Sequence, residues 1–503
     1  MSLVWRPYIL GQVLPLLLAA GCQHTGPTEA ETSRAIEVLV TSDPETLDPR
    51  YVTDAVGMRV SRLIHAGLTR LDPESLLPVP YLAQSLVWKD ARTLDVTLRK
   101  GLEFHSGAPF TADDVVATLA AFASPDVASR HASIVAPIAG VVALAPDLVE
   151  ITLGRPHATL LSDLELPILR HDQARSPPDT HGALDGLGPF EVAQQTRGSL
   201  VLSPAHYGAL PEPRHSVVVR TVHDENARAL RLYSGRADVV VNAISPTLLP
   251  ALEGRAGLSI ASRPGANLTY LVVRVDRGPL ESVRVRRAVS LAVDRTAITA
   301  NLFSGRAQPA DTVLPPGHWV LSSPGDPVTF DPTQARQLLA DEPPSALHLT
   351  LLTSTDRLRL TVARTIAQEL DDVGITLEVI PLELGTLIAR LNAGDFDLAS
   401  LQMPELTEPN TLRVFMHSAS VPPMGSNRGR IADPELDRLL DLGDSTPDTP
   451  SRARVYADIE ARIRQQLFII PLWHEDQVAV VSDRARTFRP SREGRWLSLA
   501  DLP

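Results

Sequence analysis

Glu405 and Glu408 stand three residues apart in the segment Gln402-Met403-Pro404-Glu405-Leu406-Thr407-Glu408-Pro409-Asn410. Two carboxylates on one loop after an apolar run could grip a cationic group of a ligand through charge-assisted hydrogen bonds. The plainer alternative is a solvated loop. Other acidic pairs have structural explanations. Asp113-Asp114 follows Thr111, which can cap a helix whose positive N-terminus suits the two acids. Asp371-Asp372 falls where a helix end meets solvent. No Gly-x-Ser-x-Gly, His-Glu-x-x-His, Gly-x-x-x-x-Gly-Lys-Ser/Thr or Gly-x-Gly-x-x-Gly occurs, so nucleophilic, zinc-protease and nucleotide-binding signatures are absent. The residues read as those of a non-catalytic protein with no cofactor and no metal site. A hydrolase using the two glutamates ranks well below a binding role.

Cys22 is the only cysteine in 503 residues. A disulfide within one chain and a cysteine-based zinc site are therefore excluded. From Pro7 to Gly21 no residue is charged, which fits a secretory signal peptide over 1–21. Leu18-Ala19-Ala20-Gly21-Cys22 resembles a bacterial lipobox, with Cys22 as the lipidation site. Acyl chains there would hold the chain on a membrane surface without spanning it. Residues 22–34 then read as a short polar tether, which places the protein outside the cytoplasm at the cell envelope.

The elements that must position the glutamates follow from periodicity. Ile36–Val40 is a strand, and Ala55–Leu68 has helical spacing of Val56, Val60, Leu63, Ile64 and Leu68. Hairpins are expected over Leu86–Leu98 and Val141–Leu153, the second turning at Pro146-Asp147. A helix opens after Thr111. The second half alternates helices (225–233, 283–300, 359–373, 384–391, 452–466) with strands (239–241, 375–380, 396–401, 468–473). That alternation predicts an α/β protein with more than one lobe and a ligand cleft between lobes. The arginines of the helix starting at Val283 read as a solvated face. Net charge is −12, from 47 basic against 59 acidic residues, and aromatics are 4%. No nucleic-acid footprint is present.

Several segments, in order, resemble the family 5 extracellular solute-binding proteins, the oligopeptide and dipeptide receptors of ABC importers. They are Thr46-Leu47-Asp48-Pro49, Gly67-Leu68-Thr69, Pro80 to Ser85, and above all Leu98-Arg99-Lys100-Gly101-Leu102-Glu103-Phe104-His105-Ser106-Gly107-Ala108-Pro109-Phe110-Thr111-Ala112-Asp113-Asp114-Val115. Gly186 to Phe190, Ser234 to Asp238, Val285 to Ala288 and Gly394 to Asp397 add to them. The resemblance implies a periplasmic-binding-protein-like two-lobe clam (type II, cluster C) with an additional inserted sub-domain. Lobe one would be discontinuous over 35–60, 187–264 and 475–503, the insert 61–186, and lobe two 265–474. It also implies a monomer that captures a peptide or peptide-like solute and hands it to ABC permease and ATPase subunits.

By the same resemblance, the ligand backbone would pair with Leu401, Gln402 and Met403 on one side and with Thr53, Asp54 and Ala55 on the other. Glu405 would hold its ammonium, with Glu408 beside it. Four positions depart from the family pattern: Leu401-Gln402 replaces Gly-Trp, Glu405 replaces Asp, and Arg274 replaces Asn. A non-peptide cationic solute, or use of the fold as a solute sensor, is therefore the alternative reading.

Overall fold

The computed structural model describes residues 34–178, 184–321, 329–343 and 347–503. The expected signal peptide, Cys22 and all of the tether but its last residue lie outside the described residues. Aspartates mark helix starts: the side chains of Asp54, Asp224, Asp356 and Asp448 each accept a hydrogen bond from a backbone N–H in the first turn. Such caps supply partners for donors that the helix itself leaves free.

Residues Ala35–Pro503 form one unit around a 12-stranded sheet. Its order runs Thr376–Leu382, His348–Ser354, Leu398–Met403, Leu268–Val273, Ile469–Ser482, Val239–Val241, Ile36–Val40, Val217–Thr221, Ser199–Pro204, Phe190–Thr196. Leu258–Pro264 and Ala307–Pro309 also pair with Ile469–Ser482. Both halves of the sheet are covered on both faces. In one half Leu268, Tyr270 and Val272 enter one core while Leu271 and Val273 enter another. In the other half Val38 and Val240 likewise face opposite cores. Burial on both faces is why these strands read as continuous apolar runs instead of alternating ones. A further core gathers residues between Ala66 and Leu187, around the four-stranded sheet Ala83–Asp90, Thr93–Leu98, Leu148–Leu153, Ile138–Ala145.

The 14-residue strand Ile469–Ser482 joins the halves. Residues 469–473 pair with Leu268–Val273, and residues 476–482 pair with Leu258–Pro264. Sequence periodicity ends this strand at Trp473, because His474-Glu475-Asp476-Gln477 breaks the apolar pattern. The structure carries it on, since backbone pairing from Ala307–Pro309 and Leu258–Pro264 does not need apolar side chains.

Two further expectations are corrected. The helix predicted over Val283–Ala300 is two, Val283–Ala292 and Arg295–Leu302. Asp294 breaks it by turning out of helical geometry to accept the Ala297 N–H at 2.8 Å. The arginines there are not all solvated. Arg286 donates to the carbonyls of Leu280, Glu281 and Gln466, and Arg295 to those of Ser290 and Pro471. Burial pulls both guanidiniums down to about 10, and they act as internal struts for carbonyls that would otherwise lack donors.

Gly265 links Leu258–Pro264 to Leu268–Val273 beside the long strand. A Cβ at Gly265 would meet Asn267 Nδ2 and the Glu475 carbonyl oxygen, each at 2.3 Å. The first is a side chain and the second is backbone, so the two crossing segments would have to part. Gly265→Ala is expected to destabilise the protein by about 1–3 kcal/mol, read as a lower midpoint in thermal unfolding. An unchanged midpoint would show that the crossing is looser than these distances say.

Candidate functional site

Where the long strand crosses between the halves, its polar residues Glu475, Asp476 and Gln477 face a cavity of about 670 Å³. That volume is in the range of small-molecule sites. The start of helix Ala55–Ile64 supplies Thr53, Ala55, Met58 and Arg59. Helix Arg357–Asp371 supplies Arg359 from its first turn. The end of strand Leu398–Met403 and the loop after it supply Gln402, Met403, Pro404 and Glu405, and the C-terminal segment supplies Glu493. Thr53, Ala55, Gln402, Met403 and Glu405 are thus brought together from distant parts of the sequence.

The other expected residues are not in this lining. Asp54 caps its helix, accepting the Gly57 N–H at 2.7 Å. Leu401 packs toward the core on the opposite side of its strand from Gln402, as strand alternation requires. Glu408 is drawn elsewhere. Arg452 pairs with it, Ser162 Oγ donates to it at 3.2 Å, and the Asn410 N–H does so at 3.0 Å. The pairing of Glu408 with Glu405 in one clamp is therefore not what the structure presents. Arg274 also lies apart, ion-paired with Asp276 at 2.9 Å and stacked on Phe396.

Glu405 is not a bare anion. Its Oε1 lies 3.7 Å from Arg62 Nη1 and its Oε2 lies 3.5 Å from Arg495 Nη2. Arg495 donates in turn to Glu165 Oε1 at 2.6 Å. Burial acts to raise the Glu405 carboxyl, but the guanidiniums of Arg62, Arg495 and Arg59 outweigh it and hold the group below the usual carboxylate range. Burial also acts to lower Arg495, and there Glu165 and Glu405 prevail and keep it charged. Arg62 is lowered by burial and by Arg495 beside it. With Glu493, whose carboxyl burial raises against the pull of Arg495, the cluster holds three arginines and three glutamates.

Sequence reasoning missed most of this cluster. Its one legible signal was Arg59 and Arg62 at i and i+3 beside the apolar stripe of their helix, which puts them on one side. Arg59 stacks over Trp496 at 5.6 Å. Across the cavity Arg359 pairs with Glu475 at 2.9 Å and donates to Thr269 Oγ1 at 3.0 Å. Strand Leu398–Met403 pairs with His348–Ser354 only through Leu398 and Ala399. Among the described residues, the edge of 400–403 away from Leu268–Val273 has no ladder partner.

Near Glu408 a second polar network ties the segment 155–163 to helix Pro434–Ser445. Asp444, 4% exposed, pairs with Arg155 at 2.8 Å and with His157 Nδ1 at 3.3 Å. His157 Nε2 faces Asp163 at 3.0 Å. Burial acts to lower His157, but Asp163 and Asp444 raise it to about 9. Burial acts to raise Asp444, but His157 and Arg155 bring it to about 2. The raised histidine contributes stability that is full below its ordinary value of 6.5 and is lost as pH rises through about 9. The lowered aspartate contributes stability present above 3.8 and lost as pH falls through about 2. Asp444→Asn is therefore expected to cost about 1–3 kcal/mol near pH 6. The gap to wild type narrows toward pH 10 without closing, because the Arg155–Asp444 pair does not depend on His157. Thermal melts of both proteins across pH 5–10 check this, and a gap independent of pH would exclude His157 as the partner.

Residues 78–412 match the family described as "Bacterial extracellular solute-binding proteins, family 5 Middle". The glutathione-binding protein GsiB of Escherichia coli O1:K1 is 26% identical over 475 residues, covering 91% of this chain and 92% of GsiB. NikZ of Campylobacter jejuni, solved in complex with Ni(L-His), has a TM-score of 0.78 at 23% identity, covering 92% of this chain and 98% of NikZ. The oligopeptide-binding protein AppA of Bacillus subtilis, in complex with a nonapeptide, has a TM-score of 0.74 at 21% identity, covering 91% and 96% of the two chains. The structural likenesses bear out the two-lobe α/β architecture expected from the sequence.

Proposed function

Since the chain belongs to the bacterial extracellular solute-binding proteins of family 5, we propose that it captures a peptide-like solute in the cavity at the sheet crossing and delivers it to the permease of an ABC importer. The observation that carries this reading is the cavity wall. It sets a strand edge at 400–403, without a ladder partner among the described residues, beside a row of charges of both signs. A peptide offers the matching set: backbone donors and acceptors for the strand edge, an ammonium, and a carboxylate. Addition of an extended ligand to a sheet edge is a recurring way of binding peptides with little dependence on side chains. Arg59 stands in the wall with no hydrogen-bond acceptor among the described residues, and it suits the carboxylate. Glu405 suits the ammonium. Two relatives agree in kind: GsiB is named for glutathione, and AppA holds a nonapeptide. The protein acts as a monomer whose lobes close over the solute, with no catalytic step.

A non-peptide solute is the second reading. The arginines around Glu405 favour it, because they already satisfy part of the charge that an ammonium needs. NikZ was solved with Ni(L-His) bound, so small amino-acid chelates belong in any screen.

A thermal-shift screen of the purified chain decides between them, since any ligand that binds the folded state raises the midpoint by mass action. Di- to pentapeptides, glutathione, opines and nickel–histidine form the panel. A peptide hit supports the first reading. A hit confined to chelates or opines supports the second. For an amine-bearing hit, Glu405→Ala is expected to weaken binding by about 2–5 kcal/mol, as when one partner of a desolvated charge pair is removed. Unchanged affinity in calorimetry would remove Glu405 from the ligand contacts.

Anchoring of the chain by acyl groups on Cys22 belongs to the same reading. Cys22→Ser is expected to move the protein from the membrane fraction to the soluble fraction, and continued sedimentation with membranes would refute the anchor.

A further inference from the structure

The stretch 155–163 and the C-terminal end of helix Pro434–Ser445 are rooted in different cores. Leu153, Leu160 and Leu164 anchor the first in the core gathered between Ala66 and Leu187. Leu436, Leu439 and Leu440 anchor the second in the core that holds Tyr270 and Met403. No residue belongs to both cores. The core between Ala66 and Leu187 is fixed to the half of the sheet that holds Ile36–Val40. Helix Ala55–Ile64 packs Val56, Val60 and Leu63 into that half, and the chain runs on from it into Ala66 and Leu68. The Gly188 N–H donates to the Ile64 carbonyl at 2.8 Å, and a Cβ at Gly188 would stand 2.6 Å from the Leu63 carbonyl oxygen. The seam between 155–163 and Asp444 is therefore a contact between the two halves that lies outside the crossing strands.

Polar contacts span this seam. Arg155 Nη2 lies 2.8 Å from Asp444 Oδ2, and His157 Nδ1 lies 3.3 Å from Asp444 Oδ1. The Ala158 N–H donates to the Asp444 carbonyl at 2.9 Å, and Ser162 Oγ donates to Glu408 Oε2 at 3.2 Å. The charged groups on the buried side of the seam also keep partners of their own. His157 has Asp163 and Thr159, Asp444 has the Asn410 side-chain amide at 3.0 Å, and Glu408 has Arg452 and the Asn410 N–H. The Arg155 side chain is 61% exposed. Parting the seam thus hands its charges to water or to partners already in place and strands none of them, which is what makes a charged contact reversible. Glu408 and Asn410 stand between Glu405 and Thr411, both of which line the cavity. The seam therefore holds the same loop that walls the solute site.

Resting on the cavity at the sheet crossing as the solute site, but not on which solute fills it, we propose that Arg155 and His157 are positioning residues: they hold the 66–187 core against the loop of Glu408 and Asn410, keep the cavity closed over its solute, and so set the rate of release. Neither residue lines the cavity. They act through Asp444 and the loop, and so on every solute alike. Removing them shifts the balance between the closed and the open chain. Such a shift shows in release, because the closed, loaded form is the one that loses the contact.

The test is stopped-flow fluorescence on the purified chain with trialanine, glutathione and nickel–histidine. R155A/H157A is expected to release each probe that binds at least about 5-fold faster than wild type, with capture slowed by less than about 2-fold. R155A alone, which leaves Asp444 its His157 and Asn410, goes the same way by a smaller factor. A double variant that releases at the wild-type rate overturns the proposal. So does one that loses affinity through slower capture with release unchanged, since that is the mark of a misshapen cavity. If the double variant fails to fold, R155A decides, and release at the wild-type rate overturns the proposal. If wild type binds none of the probes, the peptide-like and chelate readings of the solute fail by themselves, and small-angle X-ray scattering decides the positioning role. Solute-free R155A/H157A must then be more open than wild type, with a larger radius of gyration, and equal radii overturn the role.

Discussion

The Arg495 guanidinium, 6% exposed, pairs with Glu165 and Glu405, and the walls of the cavity depend on it. It joins three parts of the chain that share little sequence proximity: the C-terminal segment, the core gathered between Ala66 and Leu187, and the loop after strand Leu398–Met403. Burying such a charge is unfavourable unless its partners come with it. The partners here are themselves half-buried, so each is costly without the arginine. The cluster therefore specifies geometry more than it adds stability. Loss of Arg495 leaves the half-buried Glu165 without this ion pair and Glu405 with Arg62 at 3.7 Å.

That constraint works because the long strand Ile469–Ser482 changes character in its middle. Its apolar ends are locked in the two halves of the sheet, while His474 to Gln477 meet polar neighbours at the crossing. The Asn267 side chain donates to the Glu475 carbonyl at 2.7 Å, and its oxygen accepts the Glu475 N–H at 2.8 Å. Backbone groups at the crossing are thus satisfied without apolar packing. The side chains freed there supply part of the cavity's charge.

Much of the architecture was legible because it rests on local signals. The hairpins turning at 91–92 and 146–147, the helix after Thr111, and the helix 225–233 with its strand 239–241 all carry their own turn residues and caps. The shared order of motifs then pointed to the family. What was not legible depends on contacts between distant residues. Nothing local distinguishes Arg286 and Arg295, buried under carbonyls, from arginines on a solvated face. Nothing in the spacing of Glu405 and Glu408 shows that Arg452 draws one away and Arg62 and Arg495 receive the other. Glu493 and Arg495 sit in a loop with no periodicity, and only the closure of the chain ends on the sheet brings them to the cavity.

The balance of the cluster carries a consequence for what fits. The cavity lining sets Arg59, Arg306 and Arg359 against Glu405, Glu475, Asp476 and Glu493, so the wall is close to balanced, and a ligand of large net charge introduces an unmatched charge as water leaves. Electrostatic interactions strengthen in that drier space, favourable and unfavourable alike. A zwitterion keeps the count even: its ammonium adds to the side of Glu405 and Glu493, and its carboxylate to the side of Arg59. Free peptides and amino-acid derivatives are zwitterions near neutral pH, whereas polyamines and dicarboxylates are not. A nearly balanced wall thus selects by charge pattern, favouring a ligand that brings one group of each sign over an ion whose charges are all of one sign.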